Sequence, residues 1–202
     1  MQVVLIRLFD ILFSFFALIL LTPIWLVLAI LIVADSSGPV FFIQERIGRY
    51  GIPFKLYKLR TMSHQKQTGL LLTTKNDNRI TKIGKWLRLT KLDETPQLWN
   101  VFFGNMSLVG PRPEVSKYTD LYTADQKKIL NIRPGITDFA SIVYRNEQTI
   151  LARYNNPEKV YIECILPRKI RLNKIYLKRI NIVNYFYILL LTVLGRTHFC
   201  VR

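Results

Sequence analysis

Apolar residues are distributed unevenly along the chain, and the first third of the pattern is the most decisive. From Ile11 to Ala34 no position is charged, with Arg7 and Asp10 before the run and Asp35 after it. As a helix rising about 1.5 Å per residue, this run reaches roughly 36 Å, against a bilayer hydrocarbon core of about 30 Å. Thr22-Pro23 lies near its middle. Proline removes a helical hydrogen bond and crowds the preceding turn, so it bends or breaks the helix there. Two readings stand on the residues alone: a kinked spanning helix, and a re-entrant hairpin that enters and leaves by one face. A signal peptide fits less well, because the run is long and no small-x-small cleavage site precedes Asp35.

Beyond Ser36 the pattern becomes mixed. Val40 to Ile43 and Pro53 to Leu59 read as short extended segments around a Gly48-Arg49-Tyr50-Gly51 turn, a β-hairpin. Lys55, Lys58 and Arg60 project from the second segment, and a solvated strand face is the plain explanation for them. A polar loop follows from Ser63 to Asn78, then helical spacing from Ile80 to Leu92. Thr95 and Pro96 suit an N-cap and first helical position for Gln97 to Phe103, which Gly104-Asn105 ends. Asp93 and Glu94 therefore fall at a helix mouth, where free N–H groups favour negative charge. Thr123-Ala-Asp-Gln opens a further helix ending at Arg133-Pro134-Gly135, and Ile136 to Tyr144 reads as a turn. A helix from Glu147 to Tyr154 and a segment from Pro157 to Leu166 come next. Six of the twelve residues from Arg168 to Arg179 are basic, interleaved with apolar ones. That pattern suits a helix lying in a membrane interface, with a plain solvated helix as the rival. Tyr185 to Leu194 is apolar but too short to span. The fold expected is mainly α with a small β-hairpin (α+β). Residues 1–35 form the membrane segment and residues 36–202 a compact helical domain.

Charge sharpens this picture. Half the residues are hydrophobic, yet the formal net charge is +16. Every one of the 29 lysines and arginines except Arg7 follows Asp35, which puts the body on the cytoplasmic side. A basic body beside an apolar run suits an anionic membrane surface. Nucleic acid is the other usual partner of a basic chain, but no recognition helix or aromatic stacking platform is evident, and none is expected to bind. Cys164, Cys200, His64 and His198 are isolated, which leaves no disulfide framework, zinc site or Ser-His-Asp triad. Catalysis would have to run on carboxylates, with arginine and lysine handling substrate.

Adjacent Asp-Glu pairs are mostly solvated helix starts. Here Asp93-Glu94 is bracketed by Arg88 and by a Pro111-Arg112-Pro113 turn, beside a membrane segment, which favours a phosphorylated lipid or nucleotide substrate. Carboxylates hold Mg²⁺ when substrate phosphates complete its shell, and arginine forks onto phosphate oxygens. A carboxylate can also attack phosphorus and form an acyl phosphate. No Walker loop or dinucleotide turn occurs.

Several blocks, in order, resemble the bacterial sugar transferase family in its minimal form, the small monotopic phosphoglycosyl transferases acting on polyprenol phosphate. They are Arg7-x-x-Asp10 before the proline-broken run, Tyr57-Lys58-Leu59-Arg60-Thr61-Met62, Leu92 to Val101, Ser107 to Glu114, and Arg133-Pro134-Gly135-Ile136-Thr137. The resemblance covers roughly residues 1–145 and thins beyond. It implies a re-entrant helix broken at Thr22-Pro23, and a compact domain on the cytoplasmic face of the bacterial inner membrane, resting on anionic lipid. It implies transfer of a phosphosugar from a UDP-sugar to polyprenol phosphate, releasing UMP, as the first membrane step of glycan assembly, beside other glycan-assembly enzymes. Asp93 would be the nucleophile and a ligand of Mg²⁺, and Glu94 its acid, base or metal-positioning partner. Arg88, Arg112, Lys58 and Arg60 would bind phosphate. Many members show serine before the helix-breaking proline, where this chain has Thr22. The rival readings are a silent membrane scaffold and a basic nucleic-acid-binding membrane protein.

Overall fold

The computed structural model describes residues 1–63 and 77–195. Most of the expected polar loop, together with His64, His198 and Cys200, lies outside them. The chain opens with helix α1, Gln2–Asp35, long and apolar enough to cross a membrane. It does not end at the proline: α-helix continues on both sides of Pro23, and the Thr22 hydroxyl donates to the Leu18 carbonyl at 2.8 Å. Its inward stripe is Ile6, Asp10, Ser14, Leu18, Trp25, Leu28 and Ile32, spaced by three, four or seven residues, as one helix face requires. Phe16, Leu20, Leu26 and Ile30 point outward and are exposed.

Strands β1 (Phe41–Ile47) and β2 (Pro53–Leu59) form the expected antiparallel hairpin, with Phe42 opposite Lys58, Gln44 opposite Leu56 and Arg46 opposite Phe54. Helix α2, Lys82–Thr90, starts on the Thr81 hydroxyl, which accepts from the Gly84 amide at 3.0 Å. Asp35 Oδ2 accepts from the Ile83 amide at 2.8 Å, so the end of α1 is pinned to the start of α2. A 3-10 turn over Leu92–Glu94 leads to helix α3, Gln97–Phe102, which Gly104 ends with a φ of +89°. Strands β3 (Ser107–Val109) and β4 (Gly135–Thr137) pair in parallel. A Cβ on Gly135 would stand 2.0 Å from the Gly110 amide, so glycine is required where the Pro111-Arg112-Pro113 segment leaves β3.

The remainder is a series of short helices: α4 (Ser116–Thr119), α5 (Phe139–Val143), α6 (Glu147–Leu151) and α7 (Pro157–Val160). A π-helical turn at Tyr161–Ile165 leads to α8 (Leu166–Lys178), and α9 (Ile182–Leu194) follows. The helix expected after Thr123 is instead a 3-10 segment, Gln126–Asn131, and part of the expected turn after Ile136 is strand and helix. Helix α8 packs against the rest of the body. It turns Leu166, Ile170 and Tyr176 inward, while Ile175 is exposed. Helix α9 sets Tyr185, Ile188 and Leu191 inward, beside α1, and leaves Val183, Leu190 and Val193 exposed.

Among the described residues two apolar cores result. One joins α1, β2, α2, α3, β3 and α9; the other gathers Val115, Tyr118, Tyr122, Leu151, Tyr161 and Ile170. At the second core lies a buried ionic group. Glu114 accepts from the Tyr161 hydroxyl and faces Lys169 Nζ at 3.5 Å, and Lys169 also meets Glu147 at 3.1 Å. Arg46 stands 3.8 Å from Glu114 and donates to the Pro113 carbonyl.

Candidate active site

Asp93 and Glu94 lie in the 3-10 turn between α2 and α3. Lys91, in the left-handed region at φ 61°, ends α2 and redirects the chain into that turn. Thr95 is right-handed helical rather than extended, so it is not the N-cap expected from the Thr-Pro pair, and α3 has no side-chain cap. The Thr95 hydroxyl donates instead to the Leu92 carbonyl at 2.7 Å, closing the turn, and accepts from Trp25 Nε1 at 2.9 Å.

The two adjacent carboxylates have opposite surroundings. Glu94 meets Lys58 Nζ at 3.0 Å and takes both terminal nitrogens of Arg112, NH1 at 3.2 Å from Oε2 and NH2 on Oε1. Burial would raise its pKa, but Arg112 and Lys58 outweigh that and hold it well below the ordinary glutamate value. Glu94 in turn raises the Arg112 pKa, against the cost of burial. Asp93 is only 8% exposed, and its Oδ1 is buried with no hydrogen-bond partner. Burial and the neighbouring Glu94 charge push its pKa up, opposed by Lys58 and Arg88. One carboxylate is thus held by cations, while the other keeps an oxygen unpartnered. An ionised carboxylate with a free oxygen is the usual form of a carboxylate nucleophile.

The cations fall into three kinds. Lys58 and Arg112 grip Glu94. Burial lowers the Lys58 pKa, against the pull of Glu94. The Arg112 amide also donates to Asp138 Oδ2 at 3.2 Å, while Asp138 Oδ1 caps α5. Arg88 comes from α2: its Nε donates to the Thr61 hydroxyl at 2.9 Å, and its NH1 is buried without a partner. Arg60, expected at the substrate, is elsewhere. Its guanidinium donates to the carbonyls of Ile32, Ser36 and Ser37, capping the end of α1. Two of these carbonyls belong to the Ser36-Ser37 turn that follows α1, and the third, that of Ile32, also accepts the Ser36 amide, so Arg60 braces the exit from the helix.

Arg46 and Asp138 were missed by sequence reasoning. Arg46 had a signal, since Gln44 and Arg46 share a strand face by period two and the hairpin register sets that face beside Lys58. Asp138 had none, because its role depends on the β3–β4 crossover.

For a divalent cation the fit is narrow. Among the described residues no group of three or more His, Cys, Asp or Glu gathers that could hold a metal ion. Glu94 already holds two cations, and Asp93 offers one unpartnered oxygen. A single carboxylate suits Mg²⁺ when substrate phosphates supply other ligands.

An apolar helix long enough to cross a membrane thus packs against a turn with one carboxylate unpartnered and its neighbour clamped by cations. The chain belongs to the bacterial sugar transferase family, whose profile matches residues 1–198, well past the block ending near residue 145. It is 44% identical over 140 residues to a Klebsiella pneumoniae UDP-glucose:undecaprenyl-phosphate glucose-1-phosphate transferase, covering 67% of this chain and 30% of that protein. It is 42% identical over 132 residues to a putative undecaprenyl-phosphate N-acetylgalactosaminyl 1-phosphate transferase of Bacillus subtilis, covering 65% of this chain and 70% of that protein. An Aeromonas hydrophila UDP-N-acetylgalactosamine-undecaprenyl-phosphate N-acetylgalactosaminephosphotransferase is 38% identical over 139 residues, covering 67% of this chain and 33% of that protein. The chain spans about a third of the length of the first and third of these relatives.

Proposed function

We propose that this protein transfers a sugar 1-phosphate from a UDP-sugar to a polyprenol phosphate, giving a polyprenol diphosphosugar and UMP. The observation that carries the reading is the division of labour at 93 and 94: an unpartnered Asp93 oxygen beside a Glu94 held by Arg112 and Lys58. The relatives' printed activities support the substrate classes. In the first step an Asp93 oxygen bonds to the sugar-proximal phosphorus, and the bond to the bridging oxygen breaks. UMP leaves with that oxygen and its electron pair. In the second step a phosphate oxygen of the lipid bonds to the same phosphorus and displaces Asp93, which returns to a carboxylate. Glu94 holds Arg112 and Lys58 beside the nucleophile, and Arg88, with NH1 unspent, meets phosphate oxygens. Mg²⁺ held by Asp93 and the diphosphate would neutralise charge on the donor.

The reaction is placed at the cytoplasmic face of a bacterial inner membrane, with α1 entering and leaving by that face. Support comes from contacts at both ends of α1. Near its start, Arg7 donates to the Val101 and Phe102 carbonyls; at its end, Asp35 receives the Ile83 amide. The basic body suits the anionic leaflet.

The test is UMP release by purified protein in detergent with undecaprenyl phosphate, Mg²⁺ and a panel of UDP-sugars. Release from one donor, lost in EDTA and in Asp93→Asn, is expected. Release undiminished in Asp93→Asn would sink the covalent route.

A further inference from the structure

We propose that Trp25 of the membrane helix is a positioning residue for the turn that carries Asp93. This rests on the reading of Asp93 as nucleophile. The indole of Trp25 is buried in the face of α1 that meets the body, two residues beyond Pro23. Its Nε1 donates to the Thr95 hydroxyl at 2.9 Å, and that hydroxyl donates onward to the Leu92 carbonyl at 2.7 Å. Leu92 and Thr95 flank Asp93 and Glu94, so the two bonds brace the ends of the turn against α1. From the other side, Lys58 on β2 and Arg112 beyond β3 hold Glu94. The turn is therefore clamped between body and membrane helix. Asp93 itself has an oxygen without a hydrogen bond to orient it, so its aim depends on that backbone. A buried indole N–H needs a partner, and a hydroxyl that both accepts and donates links α1 to the Leu92 carbonyl.

The hydroxyl matters more than its bulk. Threonine after Asp-Glu reads from sequence as a cap for α3, yet it is not an N-cap and instead serves the preceding turn. Misplacing a nucleophile by a fraction of an ångström affects the chemical step more than donor binding.

The experiment is a double-mutant cycle on Trp25→Phe and Thr95→Val, with Thr95→Ser as the conservative variant, each assayed for UMP release in detergent micelles. Each single change is expected to lower kcat about tenfold, with KM for the donor moving less than about twofold. The double variant should fall no further than the worse single, and Thr95→Ser should keep at least about half the activity. The indole N–H of Trp25, followed by NMR in ¹⁵N-labelled protein, should exchange slowly in wild type and Thr95→Ser and rapidly in Thr95→Val. Losses that multiply in the double variant, a loss confined to KM, or an indole signal indifferent to Thr95→Val would each overturn the proposal. If Trp25→Phe does not fold, the Thr95 series and the indole signal still decide. A wild type that releases no UMP would sink the functional reading and the positioning role with it. An active wild type whose variants fail to pair would sink the positioning role alone.

Discussion

Arg112 forks onto both carboxylate oxygens of Glu94, NH1 on Oε2 and NH2 on Oε1, and Lys58 joins it on Oε1. Two cations on one carboxylate leave a surplus positive charge facing the neighbouring Asp93. Lys58 and Arg88 favour an ionised Asp93, against burial and the neighbouring Glu94 charge, which push its pKa up. The same surplus would draw anionic phosphates toward Asp93.

Substitutions at the two positions should therefore separate. Asp93→Asn removes the unpartnered oxygen's charge and should lower UMP release by at least about 10³-fold. It should leave the melting temperature unchanged or higher, because a buried charge with one unpartnered oxygen is removed. Glu94→Gln leaves the partly exposed Arg112 and Lys58 with a neutral partner and should cost about 1–2 kcal/mol of stability. Thermal unfolding beside the UMP assay reads both. A Glu94→Gln protein as stable as wild type would contradict the clamp.

The clamp also sets an acid limit. Glu94 is held well below its ordinary value of 4.5, so the native state binds that proton less readily than the unfolded chain. Its contribution to stability is present above about pH 4.5 and is lost as pH falls through the depressed native value. Metal-free protein in EDTA, unfolded at successive pH values below 5, should lose stability steeply in wild type and less steeply in Glu94→Gln. Equal slopes in the two proteins would remove Glu94 from the account.

What the sequence made legible follows the range of the interactions. The hairpin from Phe41 to Leu59 was readable because turn glycines and alternation are local, and the α3 stop was readable from Gly104. The Asp93–Glu94 pair and Arg112 were found as motifs, but their inequality was not, since it depends on Lys58 and Arg112 arriving from distant segments. Thr95 misled because Thr-Pro has the chemistry of a cap, whereas Trp25, seventy residues earlier, takes its hydroxyl into another bond. Helix α8 shows the same dependence on range: α5 and the Gln126–Asn131 segment pack against it and Leu166, Ile170 and Tyr176 turn inward, which its own sequence does not announce.

Arg60 illustrates the same limit and is open to test. Because it braces the Ile32, Ser36 and Ser37 carbonyls where α1 ends, its loss should appear in stability rather than in substrate affinity. Arg60→Ala should destabilise by about 2–3 kcal/mol, the value of a few charge-assisted hydrogen bonds. KM for the donor should stay within about twofold when measured below the lowered melting temperature. A large rise in KM at unchanged stability would return Arg60 to the phosphate site.

The path of α1 through the bilayer is the last consequence. A helix of this length, about 51 Å if straight, exceeds the hydrocarbon core. The body grips it at Arg7, Asp10, Trp25 and Asp35, from one end to the other. A basic body that stays in the cytoplasm and holds both ends would keep Gln2 on its own side. Bending would fall at Pro23, where the Ile19 carbonyl loses its helical donor. With native cysteines replaced, Gln2→Cys in spheroplasts should resist a membrane-impermeant maleimide and react in inside-out vesicles. Labelling in intact spheroplasts would mean that α1 spans, and the contacts of Arg7 and Asp10 with the body would then have to break in the membrane.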